Sequence, residues 1–152
     1  IVGVLSVRYT LLPMQLPVSC QVVVDTPRGA FLKFRDDQSL DFVSPVPCPF
    51  NYGSVPGTRS GDGDRIDALV LGPRLSSGAT VAVLVLAVID FIDAGQSDPK
   101  WVCGTGPMSR ATQMGLIVFF RIYAACKALL NLTRGLKGDT AFRGLRLRNR
   151  PS

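Results

Sequence analysis

Short apolar stretches separated by glycine, proline and small polar residues fill the first two thirds of the chain, and a long segment of helical period follows them. Residues 19–25, Ser-Cys-Gln-Val-Val-Val-Asp, predict a strand that ends in the turn Thr26-Pro27-Arg28-Gly29. Residues 30–35 predict a second strand, with Phe31 and Lys33 on one face and Leu32 and Phe34 on the other. Residues 66–71 form a third apolar segment. Ser76-Ser77-Gly78 turns the chain into residues 79–89, apolar on both faces, which predicts a fully buried central strand or pair of strands. Residues 90–102 read as a polar loop. Ser109 then caps a helix running from about Arg110 to about Asn131, whose apolar face is drawn from Met114, Ile117, Val118, Phe120, Ile122, Ala125 and Leu129.

At 152 residues the chain is one domain, and 47% apolar against 18% charged residues describes a folded, rather apolar one. A net charge of +6 favours an anionic partner without saying which. The chain has no histidine, which excludes Cys–His nucleophiles and Ser–His–Asp triads, and its four cysteines form no C-x-x-C pair, which argues against zinc. Buried reduced thiols suit a cytoplasmic protein. Residues 1–18 are apolar only in patches and lack a signal peptide's continuous run; residues 79–89 are too short to span a bilayer. No membrane partner is expected. Residues 134–152 carry six basic side chains, including Arg143, Arg146 and Arg148, and read as a solvated tail or a nucleic-acid arm.

The chemistry concentrates at residues 47–73. Asp62, Asp64 and Asp67 fall within six residues, cushioned by Gly61 and Gly63, and run directly into the apolar segment 66–71. Three like charges this close call for a compensating cation, and carboxylate oxygens suit hard ions such as Mg²⁺ or Mn²⁺. As a bare triplet, Asp-Gly-Asp reads first as a hairpin turn.

The longer stretch resembles family I soluble inorganic pyrophosphatases. Asn51-Tyr52-Gly53, then Pro56, then the run from Asp62 to Leu71 is similar to P-x-N-Y-G-x-[IV]-P followed by D-G-D-P-x-D-x-L-V-L, with Arg65 in place of the usual proline. Residues 19–35 look like that family's opening hairpin, with Asp25 where a glutamate usually sits, Lys33 matching a phosphate-binding lysine and Arg35 reversing an acidic position. Asp93, Asp98 and Lys100 match a second acidic segment, with Ala94 replacing an acidic residue. Phe119-Phe120-Arg121-Ile122-Tyr123 is similar to a late-helix H-F-F-x-x-Y-K; Tyr123 matches, and Ala124 stands where lysine is expected.

The resemblance implies an α+β, mainly β fold, a small closed OB-type β-barrel flanked by helices. It divides the chain into an N-terminal extension (1–18), a pyrophosphatase-like domain (19–133) and a basic C-terminal tail (134–152). It implies Mg²⁺-dependent hydrolysis of pyrophosphate to two phosphates, with Mn²⁺ as a substitute and a homo-oligomeric assembly. Asp62, Asp67 and Asp98 would bind the activating ions, Asp93 and Asp25 would help hold further ones, and Asp64 would act as general base. Lys33, Lys100, Tyr52 and Tyr123 would hold phosphoryl oxygens. The changes at Arg35, Ala94 and Ala124 keep a weak or inactive, structural or regulatory relative as an alternative. A single-stranded nucleic-acid-binding module is the other, disfavoured because the inferred barrel side is acidic.

Overall fold

A computed structural model describes residues 16–34, 39–43, 47–61 and 63–148. Strands β1 (Ser19–Thr26), β2 (Leu32–Phe34), β3 (Leu40–Val43), β4 (Asn51–Val55), β5 (Ile66–Val70), β6 (Thr80–Asp93), β7 (Gln96–Ser97) and β8 (Lys100–Gly104) precede helix α1 (Arg110–Thr133) and strand β9 (Ala141–Leu147). Seven strands form one sheet in the order β1-β4-β5-β8-β6-β7, with β9 on β6 and a further ladder between β1 and β6. The fold is thus mainly β with one helix among the described residues.

Two register details explain the sequence pattern. The β6–β8 ladder shifts between Val85 and Ala87. A bulge there adds one residue and exchanges the faces that follow. Val83, Val85 and Val88 therefore join one apolar cluster with Val22, Ile66 and Trp101. Ala87, Ile89 and Phe91 join the other, with Phe50, Leu69 and Phe120. The run predicted as a buried strand or pair of strands is one long strand serving both cores, although Ala82 and Leu84 near its start are exposed. The second detail is Gly53: a Cβ there would run into the Val23 carbonyl oxygen, so β1 and β4 pack this closely only over glycine.

Several expectations need correction. The described ladder of β2 is with β3, in a separate two-stranded sheet, so β1 and β2 are not a hairpin. Residues 90–102 are not a loop: β6 continues to Asp93, turns through Ala94 and Gly95, and returns as β7 and β8. Residues 141–147, assigned to the tail, form β9 against β6, where Arg146 grips Asp90 through two bonds of 2.6 and 2.9 Å. The helix forms where predicted, with Thr112 N donating to the Ser109 side chain at 3.1 Å. Its buried face, however, is Leu116, Phe120, Tyr123, Ala124, Lys127 and Asn131. Met114, Val118, Ile122 and Leu129, predicted to face the core, are exposed. By length and composition α1 would suffice to cross a bilayer, although it presents Tyr123, Lys127 and Asn131 to the sheet.

Candidate active site

The site is built on the face of the sheet that α1 covers. Parallel pairing of β5 with β8 sets Asp67 beside Lys100, and the antiparallel β4–β5 ladder sets Tyr52 one step away, opposite Leu69. Asp98 lies two residues before Lys100, and its side chain also reaches the lysine. Lys100, with no exposed side-chain surface, donates to Asp67 Oδ2 at 2.8 Å and to Asp98 Oδ2 at 2.9 Å. The Tyr52 hydroxyl donates to that same Asp67 oxygen at 2.6 Å. Lys33 lies 3.8 Å from it, donates to the Tyr123 hydroxyl at 3.3 Å and stands 4.3 Å over the Tyr52 ring. Six residues singled out in the sequence therefore meet in one network.

Charge and burial oppose one another throughout. Burial tends to deprotonate Lys100, but Asp67 and Asp98 together raise its pKa. Burial also works to neutralise Asp67; Lys100 and Lys33 overcome it and hold the carboxyl below the usual range. At Asp98 burial wins: its pKa is raised despite Lys100, with Asp67 adding to the rise. The Tyr52 phenol is pushed well above 10.0 by burial and then by Asp67, so it remains a donor.

The other predicted residues stand elsewhere. Asp93, at the end of β6, accepts from Asn131 Nδ2 at 2.6 Å and lies 3.8 Å from Lys127 Nζ. Asn131 also donates to Thr140 at 3.0 Å. Asp25 is buried at an irregularity in β1 between Val24 and Thr26. Asp64 is exposed on the loop before β5, with its carbonyl accepting from Ser60 N at 2.7 Å. Asp62 and Arg35 lie outside the described residues.

Sequence reasoning gave Asn51 no role. Its Oδ1 accepts from Arg28 N and Leu75 N at 3.0 and 2.8 Å, and its Nδ2 donates to the Val70 and Pro73 carbonyls at 3.2 and 2.9 Å. One buried amide thereby ties three chain segments behind the site. Lys127 and Asn131 were also missed as partners of Asp93. The available signal was their spacing, four and eight residues beyond Tyr123 on one helical face.

The donors at Asp67, Asp98 and Tyr52 are all hard oxygens. Two of them converge on a single positive charge, Lys100 Nζ, so the set fits a small divalent cation in chemistry. Among the described residues no three His, Cys, Asp or Glu side chains cluster.

Fold and site together define a β-rich domain whose carboxylates, lysines and phenols suit hard cations and phosphoryl oxygens. The comparisons agree with that class. The family described as inorganic pyrophosphatase matches residues 22–114, more than half of the chain, and the chain belongs to that family. It is 30% identical over 96 residues to an inorganic pyrophosphatase of Gluconobacter oxydans, covering 58% of this chain and 56% of the relative. It is 32% identical over 104 residues to a soluble inorganic pyrophosphatase of Oryza sativa, covering 62% and 49%. The chain thus spans about half the length of the curated relatives it matches. The crystal structure of the inorganic pyrophosphatase from Thermus thermophilus superposes with a TM-score of 0.70 at 25% identity, over 88% of this chain and 85% of that one.

Proposed function

We propose that this protein hydrolyses inorganic pyrophosphate to two orthophosphates in the presence of Mg²⁺, with Mn²⁺ as a substitute. The observation that carries the reading is the convergence of Lys33, Tyr52, Asp67, Asp98, Lys100 and Tyr123 in one network. Asp67 and Asp98, with Asp62, would hold the cations. When bound, such ions neutralise an anionic substrate and make water a stronger nucleophile. Asp64, exposed just before β5, would take a proton from the attacking water. Lys33, Lys100 and the hydroxyls of Tyr52 and Tyr123 would hold phosphoryl oxygens, because this transfer depends chiefly on positioning and electrostatics. Asp93 and Asp25 would support further cations.

One observation favours a slow enzyme over a fast one. Asp93 is already engaged by Lys127 and Asn131, so it is less available to a cation than the resemblance implies. The circuit β1-β4-β5-β8-β6, returned to β1 by the β1–β6 ladder, supports a closed OB-type barrel. The exposed residues Val118, Ile122, Leu129 and Leu132, with Ala125 among them, alternate steps of four and three. That is the spacing of a helix–helix seam, and it supports a homo-oligomer paired through α1 in the cytoplasm. Ile122→Glu should then lower the sedimentation-derived mass.

The deciding experiment is phosphate release from pyrophosphate with excess Mg²⁺, wild type beside Asp67→Asn. Release abolished by the substitution supports the reading. A folded wild type that releases none overturns it in favour of a structural or regulatory relative.

A further inference from the structure

The β4–β5 ladder pairs Ser54 with Asp67, and the β5–β8 ladder pairs Asp67 with Lys100. Residues opposite one another in register share a face of the sheet, so Ser54, Asp67 and Lys100 form a row across three strands. Two members of that row are heavily bonded, Asp67 to Tyr52 and Lys100, and Lys100 to Asp67 and Asp98. The third is not. Ser54 is only 4% exposed, and its Oγ is a buried atom with no hydrogen-bond partner.

A buried hydroxyl without a partner is unfavourable, and native proteins rarely keep one without a use. Among the described residues two other buried side-chain atoms share this condition, Trp101 Nε1 and Asn131 Oδ1. Trp101 belongs to the apolar cluster on the other face, and Asn131 spends its amide on Asp93 and Thr140. Ser54 alone stands opposite Asp67.

We propose that Ser54 is an additional ligand to the divalent cation held by Asp67. Cβ atoms of a register pair lie about 4.5–5.5 Å apart, which puts a serine hydroxyl and an aspartate carboxylate within reach of one ion. Ser54 and Lys100 flank Asp67 on opposite sides, so an ion on the Ser54 side does not require Lys100 to leave. A neutral hydroxyl also adds a hard oxygen without adding to the repulsion between Asp67 and Asp98. The sequence gives little sign of this, because position 54 is the variable residue inside Asn-Tyr-Gly-x-Val-Pro.

The proposal rests on the metal-dependent reading above, and its test separates the two. Mn²⁺ and Cd²⁺ are titrated calorimetrically, without substrate, into wild type, Ser54→Ala, Ser54→Thr, Ser54→Cys and Asp67→Asn, with the metal-free melting temperature as a check on folding. Ser54→Ala weakens Mn²⁺ binding by about tenfold with its metal-free melting temperature preserved, the size seen when a supporting ligand is lost. Ser54→Thr keeps the hydroxyl and the affinity. Ser54→Cys shifts preference from Mn²⁺ toward Cd²⁺, because sulfur selects the softer ion. Wild-type Mn²⁺ affinity in Ser54→Ala overturns the proposal and leaves the metal reading standing. No Mn²⁺ binding by the wild type, or wild-type affinity in Asp67→Asn, overturns both.

Discussion

The hydroxyl of Tyr52 donates to Asp67 Oδ2 at 2.6 Å, and Lys100 donates to that oxygen at 2.8 Å. One carboxylate oxygen thus organises a phenol from β4 and an ammonium from β8. The phenol stays protonated because burial, reinforced by Asp67, raises its pKa well above 10.0. Tyr52→Phe keeps the ring beneath Lys33 and removes only the donor. Hydrogen bonds to charged groups contribute about 1.5–3 kcal/mol, so urea unfolding should register a loss of that order. Phosphate release should fall by roughly 10²–10³ if the hydroxyl also holds a phosphoryl oxygen. Loss of stability with unchanged turnover would confine Tyr52 to a structural part.

Lys100 invites a sharper test. It has no exposed side-chain surface and bridges Asp67 and Asp98. Lys100→Met leaves the buried Asp98 facing the half-buried Asp67, and breaking a buried bridge costs up to about 3–5 kcal/mol. A divalent cation supplies the missing positive charge, so Mg²⁺ should raise the melting temperature of Lys100→Met by more than it raises that of the wild type. Equal shifts in the two proteins would mean that Mg²⁺ does not take the place of the Lys100 ammonium between these carboxylates.

The sequence made β1, β5 and α1 legible because their signals are local: a strand closed by Pro27 and Gly29, a turn at Gly63, and a cap at Ser109. The cluster around Asp67 was legible only through a family pattern, since composition cannot say that residues 33, 52, 98 and 123 meet. What misled was tertiary. Four apolar residues of α1 assigned to the core, Met114, Val118, Ile122 and Leu129, lie outward, and the inward side carries Tyr123, Lys127 and Asn131 beside Leu116 and Phe120, because Lys33 and Asp93 supply polar partners there. β9 was hidden because its arginines suggested a solvated end, whereas Asp90 on β6 neutralises Arg146 and Phe142 and Leu145 pack on the core. Asn51 looked like motif spelling, yet its side chain satisfies four backbone groups.

Asp98 should leave a mark on stability as a function of pH. Burial, reinforced by Asp67 and opposed by Lys100, raises its folded pKa above 3.8. Between 3.8 and the raised value the folded protein holds a proton that the unfolded chain has released, so this group's contribution falls as pH rises through that window and then levels. Asp67 runs the opposite way: its pKa is lowered, so its contribution is present above 3.8 and is lost as pH falls below it. Asp98→Asn removes the first effect. Measured by urea midpoint, the substituted protein should gain on the wild type as pH rises from 3.8 through the window. A difference independent of pH would show that Asp98 titrates as an ordinary carboxyl.

The turn between β6 and β7 separates backbone strain from chemistry at one position. Ala94 has φ 48° and Gly95 has φ 81°, and the turn closes the pair Asp93–Gln96. Positive φ at both central residues marks a type I′ turn, which Asn-Gly and Asp-Gly fit and alanine does not. Holding an alanine in this left-handed region costs roughly 1–2 kcal/mol, which asparagine or aspartate lowers through local hydrogen bonding. Ala94→Asn and Ala94→Asp should therefore both raise the melting temperature. Only aspartate restores a carboxylate beside Asp93, where Lys127 and Asn131 already bind. If the missing acid limits the enzyme, Ala94→Asp alone should increase phosphate release and tighten Mg²⁺ binding. Equal turnover in the two substituted proteins would show that position 94 acts through the turn and not through cation binding.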